Sequence, residues 1–416
     1  MTTTPPPRPY PEMPWARTAA GANTYDAETG SVLPTIYERT TAGALAHQAL
    51  NLGQGFPDAQ GPDWLLEAAA HSITHHEIGP PNQYAPGLGI PALREAVAEH
   101  YRRRSGLVLD PETQIMATTG ATEAIAATIL AWARPGSEVV AFAPFYDSYG
   151  ACVALAGARL RTVPLRAPDY RPDLKALETA LTPNTSMILM NTPHNPTGTV
   201  FSREELARIL HLAAERDIVV MCDEVYEHLI FDDASHTHSP ILTVPGAENV
   251  ALAVGSAGKS FSVTGWKVGW LTGSAKLVNR VRGVKQFLSF SSGPAFQWAV
   301  AQGLQDDQGF FAENVATLKK GRDLLHSGLE RAGLRAHSPD AGYFVVADVS
   351  GVSEHSAEAF CAELLTHAGV AAIPVSSLIS AETPAEDPLR KLVRFAFCKD
   401  HSTLEEAVER IVRFTE

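Results

Sequence analysis

Residues 255–270 read Gly-Ser-Ala-Gly-Lys-Ser-Phe-Ser-Val-Thr-Gly-Trp-Lys-Val-Gly-Trp and directly follow the apolar run 250–254. Lys259 stands here among small residues, which let a bulky ligand approach the backbone. A lysine in a partly dry pocket loses its proton readily and can attack a carbonyl to form a Schiff base. Because most lysines in glycine-rich loops are simply solvated, the rest of the chain has to decide between the two interpretations.

Composition and charge exclude several classes of protein. The 416 residues are 45% hydrophobic and 19% charged, and the formal net charge is -13. This length predicts two or three domains. The negative charge argues against nucleic acid or an anionic membrane as a partner. The basic run Arg102-Arg103-Arg104 follows a helical pattern, so we expect it on a solvated face.

The sequence offers no targeting, membrane or metal-binding pattern. No apolar segment has the length of a membrane span, and the start, with Thr and Pro at 2–7, is unlike a signal peptide and indicates a flexible tail. The pairs His75-His76 and His236/His238 lack further ligands, so no metal is predicted. Scattered cysteines, mostly in apolar runs, indicate buried free thiols and a cytoplasmic protein: Cys152, Cys222, Cys361 and Cys398.

Short apolar runs alternate with helical patterns through the middle of the chain. Strands are predicted at 113–118, 138–143, 159–163, 186–190, 218–222 and 250–254. Helices between them indicate a largely parallel sheet that is covered on both faces. A long helix at 310–332 leads to further strands near 342–349, 370–374 and 392–398. The predicted division is an N-terminal arm that joins the small domain (1–50), a large domain (51–309) and a C-terminal small domain (310–416).

Five groups of distinctive residues fall at the carboxyl ends of predicted strands, where open α/β sheets bind ligands. They are Ala121-Thr122, Tyr146, Asn195, Asp223 with Tyr226, and Lys259. Singly, each has an ordinary interpretation as a helix cap, a turn residue or a core aromatic. Together, at equivalent positions of one sheet, they indicate a pocket for a phosphorylated aromatic cofactor that carries an aldehyde.

Each residue suits one part of such a cofactor. Lys259 would hold the aldehyde as a Schiff base, and Asp223 would keep the ring nitrogen protonated. Tyr226 and Asn195 could bind the phenolic oxygen, while Tyr146 could stack on the ring. The phosphate would lie at the N-terminus of the helix near 120–132. Four residues are assigned to that anion site: Ala121, Thr122, Ser256 and Lys267.

These motifs resemble a known family. The segment 256–269 closely resembles the pyridoxal-phosphate signature of the class I/II aminotransferases of fold type I. Residues 191–198 resemble their Asn-x-Pro-x-Asn-Pro-Thr-Gly motif, and 223–226 their Asp-x-x-Tyr. The sequences of residues 51–58 and 82–84 are similar to those of the kynurenine/glutamine transaminase branch and of actinobacterial enzymes of the N-succinyldiaminopimelate aminotransferase type.

The resemblance implies an α/β fold with a mostly parallel seven-stranded sheet and a smaller α+β domain. It implies pyridoxal 5'-phosphate as cofactor and amino-group transfer from an amino acid to a 2-oxo acid. Arg394 would bind the substrate α-carboxylate, which explains an arginine inside an apolar strand. Gly55 and Asn195 would also line the substrate site. Tyr84 and Phe290 would reach the other subunit's site, which implies a homodimer with shared active sites.

Several points stay open at the level of sequence. No second arginine is evident for a side-chain carboxylate, so neutral substrates such as methionine, glutamine or aromatic amino acids are favoured, although a succinylated substrate remains possible. The same pocket residues could serve an elimination, an annulation or an oxidase reaction. The segment 1–50 is longer than expected and leaves the substrate undefined. A non-enzymatic regulator is disfavoured by the intact Lys259 and Asp223.

Overall fold

The computed structural model describes residues 13–75 and 82–416, so the predicted tail at 2–7 and His76 lie outside the described residues. The strands are β1 (Tyr25–Asp26), β2 (Ser31–Val32), β3 (Leu50–Asn51), β4 (Ile115–Thr119), β5 (Glu138–Ala143), β6 (Arg159–Pro164), β7 (Thr185–Asn191), β8 (Val219–Asp223), β9 (Ala251–Ser256), β10 (Val268–Gly273), β11 (Arg335–His337), β12 (Phe344–Asp348), β13 (Val370–Ala371), β14 (Ile373–Pro374) and β15 (Leu392–Ala396). The α-helices are α1 (Pro14–Gly21), α2 (Ile36–Ala46), α3 (Asp63–Thr74), α4 (Pro91–Ser105), α5 (Gly120–Trp132), α6 (Asp147–Leu155), α7 (Leu174–Ala180), α8 (Arg203–Ala214), α9 (Ala257–Ser260), α10 (Ala275–Lys285), α11 (Pro294–Gln305), α12 (Phe310–Arg331), α13 (Ala357–Glu363) and α14 (His401–Thr415).

Seven strands form the main sheet in the order β4-β10-β9-β8-β7-β5-β6. Strand β10 is antiparallel to both of its neighbours, and the other adjacent pairs are parallel. Strands β8 and β9 are buried along their whole length, as expected where helices cover both faces of a sheet. The predicted seven-stranded, mostly parallel sheet is therefore confirmed.

The carboxyl edge of this sheet gathers the polar residues that follow the strands. Asp223, at the end of β8, is in register with Asn191 of β7 and Val254 of β9. Strand β9 continues directly into α9, so Lys259 lies within one helical turn of the strand end. Parallel strands end at the same edge, so the turns after β7, β8 and β9 face one region.

A second, antiparallel sheet has the order β11-β12-β15-β14 and follows the long helix α12, as predicted. Strand β3 pairs in parallel with β13, so the N-terminal segment joins the C-terminal part of the chain. One apolar core runs continuously through residues of both sheets. The domain boundaries at 50/51 and 309/310 stay a prediction.

The sequence prediction omits the short strands β1, β2, β3 and β11, and it differs from the structure at two further places. The strand expected at 370–374 is two short strands, because β13 pairs with β3 whereas β14 pairs with β15. Strand β10 was not located individually, because its glycines and tryptophan belong to the lysine motif. Ser202 and Glu205 form a capping box at the start of α8. The exposed position predicted for the arginine triplet is confirmed. Cys152 is half-buried and the other three cysteines are buried, all as free thiols. None of the described helices is long and apolar enough to cross a membrane.

Candidate active site

A cavity of about 260 Å³ lies at the carboxyl edge of the main sheet. Most of its lining residues end or follow strands of that sheet, and the second sheet contributes Phe344 and Arg394. The structure brings eleven of the residues singled out by sequence to its wall: Gly55, Ala121, Thr122, Tyr146, Asn195, Asp223, Tyr226, Ser256, Lys259, Lys267 and Arg394. They come from segments almost 340 residues apart in the chain. Tyr84 and Phe290 do not line the cavity.

Lys259 is held in a partly apolar environment by a tyrosine. Its Nζ donates a hydrogen bond of 2.9 Å to Tyr343 Oη, which in turn donates one of 2.7 Å to the Gly55 carbonyl. The Tyr226 ring centroid is 5.9 Å from the same Nζ. Burial lowers the pKa of Lys259 to about 8. A substantial fraction of this amine is therefore neutral, and nucleophilic, near pH 8.

The buried carboxyl group of Asp223 accepts two hydrogen bonds. Tyr149 Oη donates to Oδ2 at 2.6 Å, and the Val225 amide donates to Oδ1 at 3.3 Å. Burial raises the pKa of Asp223 to about 6, while the Tyr149 hydroxyl acts in the opposite direction. An ionised Asp223 in this position is well suited to stabilise a protonated ring nitrogen of a ligand.

One end of the cavity has the properties of an anion site. Helix α5 begins here at Gly120, and its first turn presents backbone amides and a positive dipole end. Lys267 Nζ donates to Thr122 Oγ1 at 3.4 Å. Gly120 has φ +68°, and a Cβ at this position would lie 3.1 Å from Lys267 Nζ. The cationic amine, the hydroxyls of Thr122 and Ser256, and the helix terminus together suit a phosphate.

Arg394 is a buried cation that makes only neutral contacts. It is 1% exposed, and its guanidinium donates to Asn195 Oδ1 at 3.2 Å and to the Gly53 carbonyl at 2.8 Å. It lies 4.0 Å from the Phe344 ring centroid and 5.5 Å from that of Tyr37. Its Nε finds no partner, and no ion pair of the described residues includes it. A buried guanidinium without an anion is costly, so this group is poised to receive a carboxylate.

Tyr84 and Phe290 lie on the surface, outside the cavity of their own chain. They are 86% and 49% exposed, and their rings meet edge to face at 5.5 Å. The buried Lys285 holds the loop that contains Tyr84 and Gly87 and the loop that contains Phe290. Its Nζ donates to the Gly87 and Phe290 carbonyls at 2.9 and 2.8 Å. Neither aromatic ring serves its own chain's cavity, and a role in a second subunit stays a prediction.

Three tyrosines of the site were missed at the level of sequence. Tyr149 lies in the first turn of α6, three positions after the N-cap Tyr146, a spacing that could have indicated a shared face. Tyr343 follows Gly342 at the start of a strand, where an aromatic residue is ordinarily a core residue. Tyr37 comes from the undefined N-terminal segment, and its buried hydroxyl finds no partner among the described residues.

Comparison with known proteins agrees with the geometry. The family model described as aminotransferase class I and II matches residues 47–411. The chain is 44% identical over 384 residues to the probable N-succinyldiaminopimelate aminotransferase of Mycobacterium tuberculosis, covering 91% of this chain and 95% of that protein. The solved structure of the Mycobacterium tuberculosis enzyme superposes with a TM-score of 0.86 and 44% identity, over 92% of this chain and 97% of that one.

Two further relatives cover most of the chain. Methionine aminotransferase of Escherichia coli is 38% identical over 377 residues, covering 91% of this chain and 95% of its own. Kynurenine–oxoglutarate transaminase 3 of Mus musculus is 35% identical over 386 residues, covering 86% and 83%. The segment matched by the family model contains every residue that lines the cavity except Tyr37.

Proposed function

This chain belongs to the aminotransferase class I and II family, and we propose that it transfers the amino group of an L-amino acid with a neutral side chain to a 2-oxo acid, with Lys259 as the cofactor-binding lysine. The enzyme is a transferase that depends on pyridoxal 5'-phosphate. The observation that carries the assignment is one cavity lined by a half-buried lysine with a lowered pKa, a buried carboxyl group and a buried arginine that lacks an anion.

The residues of the cavity fit the cofactor group by group. Lys267, Thr122 and Ser256 would hold the phosphate at the start of α5, and Asp223 would hold the proton on the ring nitrogen. Ala121 would join them at the phosphate, while Tyr146, Asn195 and Tyr226 would contact the ring and its phenolic oxygen. The backbone segments at Gly258 and Thr264, which both line the cavity, pack closely, since a Cβ at Gly258 would lie 3.0 Å from Thr264 Cα. A small residue at this position is therefore required.

Bound pyridoxal phosphate supplies an electron sink for the electron pair released at the substrate α-carbon. The neutral Lys259 Nζ would accept the proton from the substrate α-carbon as general base and, once charged, would act as the general acid that gives the proton back. Tyr343 holds the amine through its hydrogen bond to Nζ. Arg394 binds the substrate carboxylate and so fixes which face of the α-carbon Lys259 meets.

The lining of the cavity supports a substrate with a neutral side chain. Its cationic residues are Lys259, Lys267 and Arg394, and each has a role already. Tyr37 and Phe56 line the same cavity and would offer apolar surface to a side chain. The relatives named after methionine and kynurenine act on amino acids of this class. A succinylated substrate would have to find its second cation elsewhere.

The absorption spectrum of the purified protein, before and after adding single amino acids without any oxo acid, tests this function. We expect a yellow cofactor band that bleaches with a methionine-, glutamine- or aromatic-type donor, one oxo acid forming per site. Subsequent addition of 2-oxoglutarate should restore the band. Release of ammonia with an unchanged band would instead establish an elimination reaction, and the absence of any cofactor band after reconstitution would contradict the assignment.

Tyr149 is expected to tune Asp223, and its replacement by phenylalanine tests this. Without the 2.6 Å hydrogen bond, the pKa of Asp223 rises further, because that bond favours the ionised form. Asp223 is ionised above its pKa, so the acidic limb of the kcat profile should move to higher pH. We expect kcat near neutral pH to fall roughly tenfold. Tyr170→Phe, at a buried tyrosine outside the cavity, is the control; equal profiles for both variants would contradict the role.

We propose that the enzyme is a homodimer in which Tyr84 reaches the phosphate in the other subunit. Two observations support this: Tyr84, Phe287 and Phe290 are exposed, and the rings of Tyr84 and Phe290 are in contact. Mixing Y84F with K259A subunits tests it, because each hybrid then has one intact site and one doubly altered site. We expect Y84F to lose roughly tenfold in activity and the hybrid to recover up to half of the wild-type value. If Tyr84 served its own chain, no hybrid site would be intact.

We also propose that the enzyme acts in the cytoplasm. Its four free cysteines suit a reducing compartment, and none of the described pairs forms a disulfide. Fractionation of the source cells, with thiol titration of the denatured protein, tests this: fewer than four reactive thiols in protein isolated under trapping conditions would contradict it.

A further inference from the structure

A buried chain of polar contacts lies beside helix α9 and a second apolar cluster, which includes Tyr101, Phe261 and Phe311. His100 Nε2 and His228 Nε2 are 2.8 Å apart, and His228 Nδ1 and Ser260 Oγ are 2.7 Å apart. All three residues are buried, and the His228 ring stacks on Phe311 at 4.2 Å. His100 belongs to α4, His228 to the turn after β8, and Ser260 to α9. The contacts therefore join three separate elements inside the protein.

Both ends of the His228–Ser260 link are next to residues of the cavity. His228 follows Tyr226 by two positions in the turn that Asp223 opens, and Ser260 directly follows Lys259. Ser260 Oγ is also 3.0 Å from the carbonyl oxygen of Ser256. The link thus connects the turn that carries the ring-binding residues to the helix that carries the lysine.

The distances favour a hydrogen-bond network over a metal site, although ligand atoms of His100, Glu227 and His228 all lie within 4.8 Å of one another. Two nitrogens on one tetrahedral zinc ion would be roughly 3.3 Å apart, given Zn–N bonds of about 2.0–2.1 Å. The observed 2.8 Å is a hydrogen-bond distance. Glu227 Oε1 accepts from Tyr101 Oη at 3.2 Å, and Trp270 Nε1 donates to the same hydroxyl at 3.2 Å.

Both histidines are neutral, so each contact carries a single hydrogen. Burial lowers the pKa of His100 to about 3 and that of His228 well below its usual value. A neutral imidazole has one N–H, so if His228 donates to His100 its Nδ1 accepts from the Ser260 hydroxyl. If the direction is reversed, His228 donates to Ser260, which donates to the Ser256 carbonyl. In either direction, removing His228 leaves Ser260 without this buried partner.

We propose that His228 and Ser260 are positioning residues that fix α9, and with it Lys259, against the turn of Asp223 and Tyr226. The inference rests on the proposed role of Lys259. A helix of only four residues is not stable by itself, so tertiary contacts have to set its position. When the link is broken, α9 shifts and water enters beside the lysine. The charged form of its nitrogen then becomes more favourable.

The test is the pH midpoint at which the absorbance of the bound cofactor changes, measured on holoenzyme variants. His228→Asn puts its amide near the position of Nδ1 and can keep the bond to Ser260, whereas His228→Gln puts it near Nε2. We expect a midpoint close to the wild type in H228N. In H228Q and Ser260→Ala the midpoint should rise by about one pH unit, a tenfold change in the equilibrium.

The other charged and titratable groups around Lys259 and His228 are the same in all of these variants. Cys398, Asp223, Arg394 and Lys267 act on Lys259, while His100, Arg104 and His238 act on His228. Tyr101→Phe is the matched control, because it breaks the Glu227–Trp270 branch and leaves the link to Ser260 intact. It should lower the melting temperature and leave the midpoint unchanged.

The outcomes separate this inference from the proposed function. Equal loss of melting temperature in H228N and H228Q, with wild-type midpoints in both and in S260A, would mean a purely structural network and overturn the proposal. S260A removes a single oxygen and keeps the test valid if a His228 variant does not fold. A wild-type cofactor band in K259A would instead overturn the role of Lys259 itself.

Discussion

Replacement of Lys259 by alanine is expected to abolish transamination, with turnover at least about 10⁴-fold below the wild type. In the proposed mechanism this side chain both captures the cofactor and moves the substrate proton, so one substitution removes two steps. The residues proposed to bind the phosphate, Lys267 and Thr122, and the carboxyl group of Asp223 remain. The variant should therefore still bind cofactor, but without the yellow band of the lysine-bound form.

The environment of the lysine explains why another group cannot replace it. Burial brings the pKa of Lys259 from an ordinary 10.5 to about 8, so the neutral, reactive amine becomes abundant as pH rises through 8 rather than through 10.5. Lys276→Ala, on the exposed face of α10, is the matched control and should retain full activity. Turnover in K259A within tenfold of the wild type would remove the central assignment.

The sequence predicted the residues that line the cavity better than those that hold them in place. Asp223 ends a buried apolar strand, and Asn195 and Lys259 follow such strands. The edge of a parallel sheet brings these positions together whatever the details of packing. Their polarity also contrasts with the apolar residues before them. Position along the chain and residue type were therefore sufficient to predict one pocket.

The supporting residues could not be found in this way. Tyr149, Tyr343 and His228 lie in helical, strand-like and turn segments, where an aromatic or histidine ring is ordinarily part of the core. Only tertiary packing shows that Tyr149 reaches Asp223 and that Tyr343 reaches Lys259. The sequence does not predict strand β10 or the division between β13 and β14 for the same reason. Pairing partners rather than local pattern define these strands.

Arg394→Met should lower kcat/KM for amino acids by roughly 30- to 5000-fold, equivalent to about 2–5 kcal/mol for a buried charge pair. The guanidinium donates to Asn195 and Gly53 and retains an unpartnered Nε. It has no anionic partner among the described residues, so a substrate carboxylate would be its first. Methionine has a similar length and no charge. The cofactor band should persist, because the lysine and the phosphate site are untouched.

The R394M variant should be as stable as the wild type or more stable, although its activity is lower. A buried, unpaired cation is destabilising, and replacing it by an apolar side chain of similar size is often neutral or favourable. The stacking surface of Phe344 and Tyr37 would pack against the methionine. A melting temperature equal to or above that of the wild type, together with lost activity, would show that Arg394 is retained for binding rather than for folding.

A substrate without a carboxylate separates binding from general damage to the site. The primary amine that corresponds to the preferred amino acid makes no contact that requires Arg394, so its rate of bleaching the cofactor band should be equal in the wild type and R394M. Arg335→Ala, at an exposed arginine, controls for loss of positive charge. If R394M lost the amine reaction as well, the arginine would shape the cavity instead of binding the carboxylate. If the amino acid reaction were unaffected, the α-carboxylate would bind elsewhere.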